Sequence, residues 1–382
     1  MTKSLLDHST RAEIDLDALS FNLNQIRRLV GKEKKILAVV KANAYGHGIV
    51  CIARKLESLG VDSFGVAFLE EGIQLRKAGI HSPIILLGGI FPSQIGSVFD
   101  FDLTPVVYDL KLAHFIEEEG KRQNKKLPVH IKIDTGMNRL GVPYDEVKDF
   151  FVNLRNFDHI KTVGLLSHFS SANLRDSNSR YFTKEQGERF KRTIKIVQNL
   201  GFDIPLFHMT NSAAIIERIM PELNMVRVGL MLYGASPSSD LEVGIPLKPV
   251  MTLKTSIIQI KTLPPGSFIS YGRTFCTKRT SRIATLAIGY GDGYNYRLSN
   301  RGKVLIRGKE ASIVGSVCMD LTMADITDIP EAKVGDEVVL FGCQKDKTVS
   351  LGTVAQWVDL IPYEIICGIS SRVPRIYKTK TE

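Results

Sequence analysis

Residues Lys34–Gly48 read KKILAVVKANAYGHG, and in this stretch an apolar run, Ile36–Val40, ends directly on Lys41. An apolar run rich in β-branched residues predicts a strand that is buried on both faces. Gly46 and Gly48 end the strand, and a helical pattern follows them. Lys41 is therefore predicted at the carboxyl end of a core strand, where burial disfavours its charged form. Such a lysine either extends its ammonium to solvent or acts as a nucleophile or base.

The chain has 382 residues, a length that suits two domains. Its 44% hydrophobic and 24% charged residues are typical of globular proteins. The net charge is +10, but lysine and arginine are spread along the chain without a basic block. This distribution indicates attraction for anionic ligands, and no nucleic-acid partner is predicted.

The five cysteines form no C-x-x-C motif and no cysteine–histidine pair at zinc spacing, so no metal site is predicted. They indicate a reducing, cytoplasmic setting. The first residues hold no apolar run long enough for a signal peptide. A membrane span is not predicted either, because it needs about eighteen uninterrupted apolar residues.

Strand and helix patterns alternate after a predicted leading helix at Ile14–Val30. Eight strands are predicted, at Ile36–Lys41, Ser63–Ala67, Ile84–Leu87, Leu103–Val107, Val129–Asp134, Thr162–Ser167, Leu206–Met209 and Met225–Leu230. Helices are predicted at Ile49–Leu59, Leu69–Ala78, Pro92–Val98, Lys111–Arg122, Tyr144–Leu154, Lys184–Leu200 and Ala213–Ile219. This order predicts an α/β fold, a (β/α)₈ TIM barrel. An open doubly wound sheet is the alternative, although no G-x-G-x-x-G follows the first strand.

The pattern changes after about Gly234, where a turn-rich linker, Ala235–Glu242, is predicted. Short β-type runs follow at Val250–Ile260, Arg282–Ile288, Lys303–Ile306, Ala311–Val314 and Glu337–Phe341. They predict a second, mostly β domain. The predicted division is a barrel at residues 12–240 and a β domain at 241–382, with the N-terminal segment 1–11 expected to pack on the latter.

Polar residues collect at the predicted carboxyl ends of five strands, the face where TIM barrels carry active sites. They are Lys41, Tyr45, Lys132, Asp134, Arg139, His168, Asn211, Ser212, Arg227 and Gly229. Taken singly, His168 also fits a core histidine and Ser212 a plain helix cap. Together, Ser212 at a helix start and Gly229 after strand eight favour a phosphate site.

The motifs VKANAYGHG, DTGMNRLG, NMVR, YGRTF, GDGY, CMD and PYEI with SRVPR resemble those of the alanine racemase family. The resemblance covers both domains, from Ile14 to Tyr377. It implies a homodimeric, pyridoxal 5'-phosphate (PLP) dependent racemase with shared active sites, which makes D-alanine from L-alanine for peptidoglycan. It implies that Lys41 holds PLP as a Schiff base and that Lys41 and Tyr271 are catalytic bases on opposite faces of the substrate.

The resemblance also implies the remaining site residues. For PLP they are Tyr45, His168, Asn211, Ser212, Arg227, Gly229, Leu230 and Tyr363. Arg227 is expected to face the pyridine nitrogen, and His168 and Arg227 to supply the positive charge that lowers the pKa of Tyr271. Arg139 and Met319 are expected to bind the substrate. Lys132 matches a position that is carbamylated in some members.

Four positions depart from the usual family residues. Val228 replaces a proline, and Asn173, Ser316 and Tyr296, expected near the substrate entrance, replace an aspartate and two arginines. They leave open a racemase of the same fold that acts on serine, lysine or several amino acids. A non-catalytic PLP-binding protein does not need Tyr271, and the glycine-rich loop and cysteine motif of related decarboxylases are not apparent.

Overall fold

A computed structural model describes residues 9–238, 241 and 243–379. The chain begins there with a strand, Arg11–Asp15, followed by a helix, Leu16–Val30. The predicted helix Ile14–Val30 therefore starts two residues too early. Asp15 ends the strand and caps the helix, because its side chain accepts hydrogen bonds from the amides of Asp17 and Ala18.

Eight parallel strands form the predicted TIM barrel, which is confirmed. They are Lys35–Val39, Ser63–Val66, Ile84–Leu86, Thr104–Val107, Leu127–Asp134, Ile160–Leu166, Leu206–His208 and Met225–Val228. Strand eight pairs with strand one, and the amide of Arg227 donates to the carbonyl of Thr210 between strands eight and seven, at 3.0 Å. A short strand, Val142–Pro143, also pairs with the end of strand five.

The barrel helices follow the predicted order. They are Ile49–Ser58, Leu69–Lys77, Ile95–Asp100, Leu110–Gln123, Val147–Leu154, Ser177–Asn199 and Ser212–Ile216. The sixth begins seven residues before its predicted start, because its first turns are exposed and carry no apolar periodicity. The last ends three residues early, where Arg218 has a positive φ of 52°.

A second sheet of nine strands contains the five predicted β-type runs. Its order is Lys347–Val349, Glu337–Gln344, Lys303–Ile306, Lys309–Ile313, Thr322–Asp325, Ser281–Leu286, Met251–Leu263, Arg11–Asp15 and Arg375–Lys378. A hairpin of Phe268–Ile269 and Phe275–Cys276 and two helices, Leu351–Val358 and Pro362–Cys367, complete this part. The mostly β character of the second domain is thereby confirmed.

The two ends of the described chain meet in this second sheet. Arg11–Asp15 lies antiparallel to Met251–Leu263 and parallel to Arg375–Lys378. Neither terminal strand is predicted from the sequence, because each is short and pairs only with residues that are distant in the chain. Residues 1–8 of the N-terminal segment, and Ser239, Asp240 and Glu242 of the predicted linker, lie outside the described residues.

The C-terminal strand also contacts the loop that follows barrel strand one. Arg375 donates from Nε to the carbonyl of Gly46 at 2.9 Å, and the Tyr377 hydroxyl donates to the carbonyl of His47 at 3.1 Å. A Cβ on Gly48 would lie 1.8 Å from that hydroxyl oxygen. The loop bearing Lys41 is thus fixed by both domains. No described helix is long and apolar enough to cross a membrane.

We predict that Gly48→Ala destabilises the protein by roughly 1–3 kcal/mol more than Gly31→Ala, because only the former adds an overpacking cost. Gly31 is the matched control, since its φ of 90° resembles the 98° of Gly48 and nothing lies within 4 Å of its added Cβ. Thermal denaturation measures both. Tyr377→Phe should recover part of the loss in the double variant, and equal losses for the two alanine variants would contradict the contact.

Candidate active site

Lys41 lies two residues beyond the end of barrel strand one, at the predicted face. Its side chain is half-buried, and burial lowers the pKa of its ammonium, as does the positive charge of Arg139. Cys367, on the helix Pro362–Cys367, is close enough to act electrostatically on Lys41. The position therefore holds a lysine that gives up its proton more readily than a surface lysine does.

A left-handed turn follows Lys41. Ala42, Asn43, Ala44 and Tyr45 all have φ between 50° and 55°, a conformation that costs about 1–2 kcal/mol for each residue. Glu71 offsets part of this strain, because its Oε1 accepts a hydrogen bond from the amide of Ala42 at 2.6 Å. Asn43 caps the following helix by accepting from the amide of Ile49. Strain of this kind is typical of functional sites.

Tyr45, Ser212 and Gly229 meet in a cradle beside this turn. The Ser212 hydroxyl accepts from the amide of Gly229 at 3.3 Å. A Cβ on Gly229 would lie 2.7 Å from the Tyr45 hydroxyl oxygen, so only glycine allows that approach. The ring of Tyr363 lies 5.7 Å from that of Tyr45, and burial raises the pKa of Tyr363 to about 12. Both tyrosines are therefore neutral hydrogen-bond donors.

Two further predicted cofactor residues lie next to Ser212 and Gly229 in the chain, and the described contacts of both are structural. Asn211 uses its Oδ1 to cap the helix Ser212–Ile216, accepting from the amide of Ala214 at 3.0 Å. Leu230 is fully buried and opens a short 3₁₀ helix, Leu230–Tyr233. The backbone sets the positions of Asn211 and Leu230 beside the cradle. Residue type alone was therefore a weak signal for them as cofactor residues.

Arg227 lies buried at the centre of the same face. Its Nη1 donates to His208 Nδ1 and to the His208 carbonyl, at 3.1 and 2.8 Å. Its Nη2 donates to His168 Nδ1 at 2.8 Å and to the carbonyls of Ser167 and Met209. No described protein group accepts from Nε. Burial, together with Arg139, lowers the pKa of Arg227 to about 9, so it remains a cation near neutral pH.

His168 is neutral in this arrangement. Its Nδ1 accepts from Arg227, which leaves its proton on Nε2. Burial and the positive charge of Arg227 both lower its pKa well below the usual value. The expectation that His168 carries a positive charge is therefore corrected: Arg227 carries the charge, and His168 is a neutral acceptor of its hydrogen bond.

Lys132 and Arg139 add two more cations to this face. Lys132 is 7% exposed, and burial followed by the charge of Arg139 lowers its pKa to about 8. Asp134 shapes the turn between them, because its Oδ1 accepts from the amides of Gly136 and Asn138. The site is thus rich in positive charge and suited to an anionic ligand.

A second cluster forms in the β domain, where three of the sequence motifs meet at Arg372. Arg372 donates to Asp292 and Asp320, each at 2.6 Å, and the amide of Gly291 donates to the carbonyl of Met319. Met319 and Tyr271 are 54% and 76% exposed. Among the described residues, no hydrogen bond or ring contact joins Tyr271 to Lys41 within one chain, and the described partner of the Tyr271 backbone is Ser316.

Two entrance residues occupy different environments. Tyr296 is exposed, whereas Ser316 is 3% exposed and does not lie at an open entrance. The Ser316 hydroxyl donates to the carbonyl of Tyr271 at 3.0 Å, and Ser270 donates to the Ser316 carbonyl. Ser316 therefore supports the backbone that presents Tyr271.

Sequence reasoning missed His130, Glu71 and the role of His208. His130 lies inside barrel strand five and pairs with His208 across strand six. Its signal was weak, because a histidine within an apolar strand is equally typical of a core position. Glu71 carried no signal, since it lies in the first turn of a helix, where acidic residues are common.

The chain matches the alanine racemase N-terminal domain over residues 14–237 and the alanine racemase C-terminal domain over residues 250–377. The alanine racemase of Halothermothrix orenii is 48% identical over 371 residues, 97% of each chain. That of Geobacter sulfurreducens is 46% identical over 369 residues, 96% of this chain and 97% of the relative.

Solved structures agree with these matches. The alanine racemase of Clostridium difficile 630 superposes with a TM-score of 0.91 at 39% identity, covering 99% of this chain and 97% of that one. The alanine racemase of E. faecalis gives 0.91 at 33% identity, covering 98% and 99%. These matches place the chain in the class of two-domain barrel isomerases that act on amino acids, and its TIM barrel with a strand-end lysine and an attached β domain agrees with that class. The chain belongs to the alanine racemase family, and the predicted family, fold class and enzyme class are confirmed.

We predict that Lys132→Met raises the free energy of unfolding by about 1–3 kcal/mol at pH 7 in carbon-dioxide-free buffer. The pKa of Lys132 is about 8 in the folded protein, compared with an ordinary value of 10.5. The free-energy cost of burying its charge is therefore complete below pH 8 and disappears as the pH rises to 10.5. The gain should shrink over that window. Urea denaturation from pH 7 to 10.5 measures it.

Lys126→Met is the control for this change, because Lys126 is exposed beside the same strand. Bicarbonate should stabilise the wild type but not Lys132→Met, since a carbamate at Lys132 would be an anion near Arg139. A constant difference between wild type and Lys132→Met across the pH window would contradict the buried cation.

Proposed function

We propose that this protein uses PLP to interconvert L-alanine and D-alanine, that it works in the cytoplasm as a homodimer, and that its D-alanine serves peptidoglycan. We further propose functional units at residues 12–240 and 241–382, with the strand Arg11–Asp15 contributed to the sheet of the second. The observation that carries the function is Arg227: a buried cation whose Nε has no acceptor among the described residues, on the same barrel face as Lys41 and the cradle.

The residues present fit PLP at three points. Lys41 has the lowered pKa that attachment of an aldehyde requires. The cradle of Tyr45, Ser212 and Gly229 offers two hydroxyl groups that can donate to a phosphate, and a glycine that allows their close approach. Arg227 offers Nε–H to an acceptor, which suits an unprotonated pyridine nitrogen. When bound, PLP withdraws electrons from the substrate α-carbon and makes its proton acidic.

Lys41 then serves as one proton acceptor and donor. Its neutral amine forms more readily than that of a surface lysine, because burial and Arg139 disfavour the ammonium. In this proposal Arg139 and Met319, which is exposed on the β domain, bind the substrate carboxylate. A carbamate on Lys132 would turn the like charge beside Arg139 into an opposite charge and so orient it.

Tyr271 is the second base in this proposal. A phenol needs stabilisation of its anion to act near neutral pH. His168 supplies this stabilisation. Its Nδ1 accepts a hydrogen bond from Arg227, and its Nε2–H is left to donate to the phenolate of Tyr271. The charge of Arg227 thereby reaches Tyr271 through one neutral imidazole, while PLP and both bases stay close to the same cation.

The exposure of Tyr271 supports a shared site. Several large side chains of the β domain are exposed around the same motifs: Phe268, Tyr271, Tyr290, Tyr296, Met319 and Leu321. Clusters of this kind mark interaction surfaces. A two-fold dimer that places the β domain of one subunit over the barrel face of the other brings the partner's Tyr271 to Lys41, and the symmetry builds two equal sites.

We predict that Lys41→Ala abolishes the visible absorbance of bound PLP and lowers alanine racemisation by about 10²- to 10⁴-fold or more. Lys35→Ala is the matched control, since Lys35 begins the same strand and pairs with Asp62 at the surface. Circular dichroism detection of L- and D-alanine, with serine and lysine as further substrates, measures activity and range. A Lys41→Ala protein that keeps the absorbance band would place the anchor elsewhere.

We also predict partial complementation between Lys41→Ala and Tyr271→Phe chains. Random pairing makes half the dimers mixed, and each mixed dimer has one intact and one doubly defective site, so roughly a quarter of wild-type activity should return. The control mixes wild type with a chain carrying both substitutions. In this control mixture, an active site shared between subunits leaves about a quarter of wild-type activity. An active site built within one chain leaves about half, so half of the activity would refute the shared site.

A further inference from the structure

A pair of buried histidines extends from Arg227 into the barrel, away from the cradle. Arg227 Nη1 lies 3.1 Å from His208 Nδ1, and His208 Nε2 lies 2.7 Å from His130 Nδ1. The two rings meet edge to face, with their centroids 4.9 Å apart. All three side chains are buried, and His130 and His208 are neutral because burial and Arg227 lower their pKa values, that of His130 to about 3.

The directions of these hydrogen bonds follow from Arg227, which can only donate. Nδ1 of His208 must therefore accept, which places the His208 proton on Nε2. That Nε2–H then donates to His130, so Nδ1 of His130 must accept and its own proton lies on Nε2. One permanently protonated group thus sets the tautomers of two imidazoles in sequence.

The opposite tautomer of His208 would direct an N–H at the N–H of Arg227 and break the bond between them. The observed tautomer, in turn, buries an Nε2–H that needs an acceptor, and an unmet buried donor is costly. Among the described residues, only His130 accepts from it. Removing this acceptor would favour the tautomer that repels Arg227.

Strand six leaves room for the pair at Gly164. A Cβ there would lie 2.1 Å from Nδ1 of His130 and would displace the ring. His130 also lines a cavity of about 400 Å³ at the amino-terminal end of the barrel, together with Ser63 and Thr104. The absence of a side chain at Gly164 therefore leaves space for the ring of His130, and the cavity gives small molecules access to that ring.

We propose that His130 is a positioning residue for Arg227: the lone pair on its Nδ1 holds His208 in the tautomer that accepts from Arg227, which keeps Nε of Arg227 directed to the cofactor site. The part that concerns the cofactor rests on the proposed function. The hydrogen-bond directions rest on the geometry of this chain alone and are testable without PLP.

The first test measures tautomers in the wild-type protein without PLP. Magic-angle-spinning NMR of protein with ¹⁵N-labelled histidine, assigned with His208→Gln and His130→Asn variants, reports which nitrogens carry protons. We expect an unprotonated Nδ1 in both His130 and His208. A proton on Nδ1 of either residue would overturn the proposal, and the tautomers themselves are read from the wild-type spectrum.

The second test compares three variants. His130→Leu removes the acceptor, whereas His130→Asn keeps one, because the asparagine Oδ1 occupies the place of the histidine Nδ1. Ser63→Ala is the control in the same cavity, since its buried hydroxyl has no hydrogen-bond partner among the described residues. We expect the Kd for PLP to rise about 5- to 30-fold in His130→Leu and less than about threefold in the other two.

Added imidazole should restore part of the PLP affinity to His130→Gly, through the cavity, and should not affect wild type. Equal PLP affinities for His130→Leu and His130→Asn, whether both normal or both weakened, would overturn the positioning role. Failure of the wild type to bind PLP would instead refute the proposed function and leave the tautomer assignment standing.

Discussion

The buried guanidinium of Arg227 is the interaction on which the site depends. It is a cation inside a barrel, and no carboxylate of the described residues pairs with it, so its charge is compensated by carbonyl dipoles and imidazole lone pairs. Those acceptors come from the ends of strands six and seven, while Arg227 itself lies in strand eight. The same bonds therefore hold the strand ends in register and fix the protonation of His168 and His208. Its remaining donor, Nε, is thereby left for a ligand.

A second constraint acts on Lys41. Four consecutive residues after it adopt left-handed backbone conformations, which the local sequence does not favour, since three of them are alanine or tyrosine. Glu71 supports this turn from the barrel, and Arg375 and Tyr377 support it from the C-terminal strand. Because that strand pairs with Arg11–Asp15, both ends of the described chain contribute to the position of one catalytic candidate. The strain at the turn is maintained by contacts that are distant in sequence.

The cluster of positively charged side chains relates the net positive charge of the chain to the chemistry of its site. Lys41, Lys132, Arg139 and Arg227 repel one another, and this repulsion adds to burial in lowering the pKa values of Lys41, Lys132 and Arg227. An anionic cofactor and a substrate carboxylate would relieve that repulsion. The free protein thus stores an electrostatic cost that binding recovers, and the same cost makes two lysines more nucleophilic than ordinary ones.

The sequence by itself determined the barrel, the position of Lys41 at a strand end and most residues around the cradle, because hydrophobic periodicity and strand ends are local properties. It also indicated that the β domain carries Tyr271 and Met319. Only the tertiary structure decided that Asp292 and Asp320 meet at Arg372, that Ser316 supports Tyr271, and that His168 is neutral. It alone placed His130 against His208. These facts depend on contacts between residues 45 to 80 positions apart and on burial that changes protonation. Neither follows from a periodic pattern or a motif in the sequence.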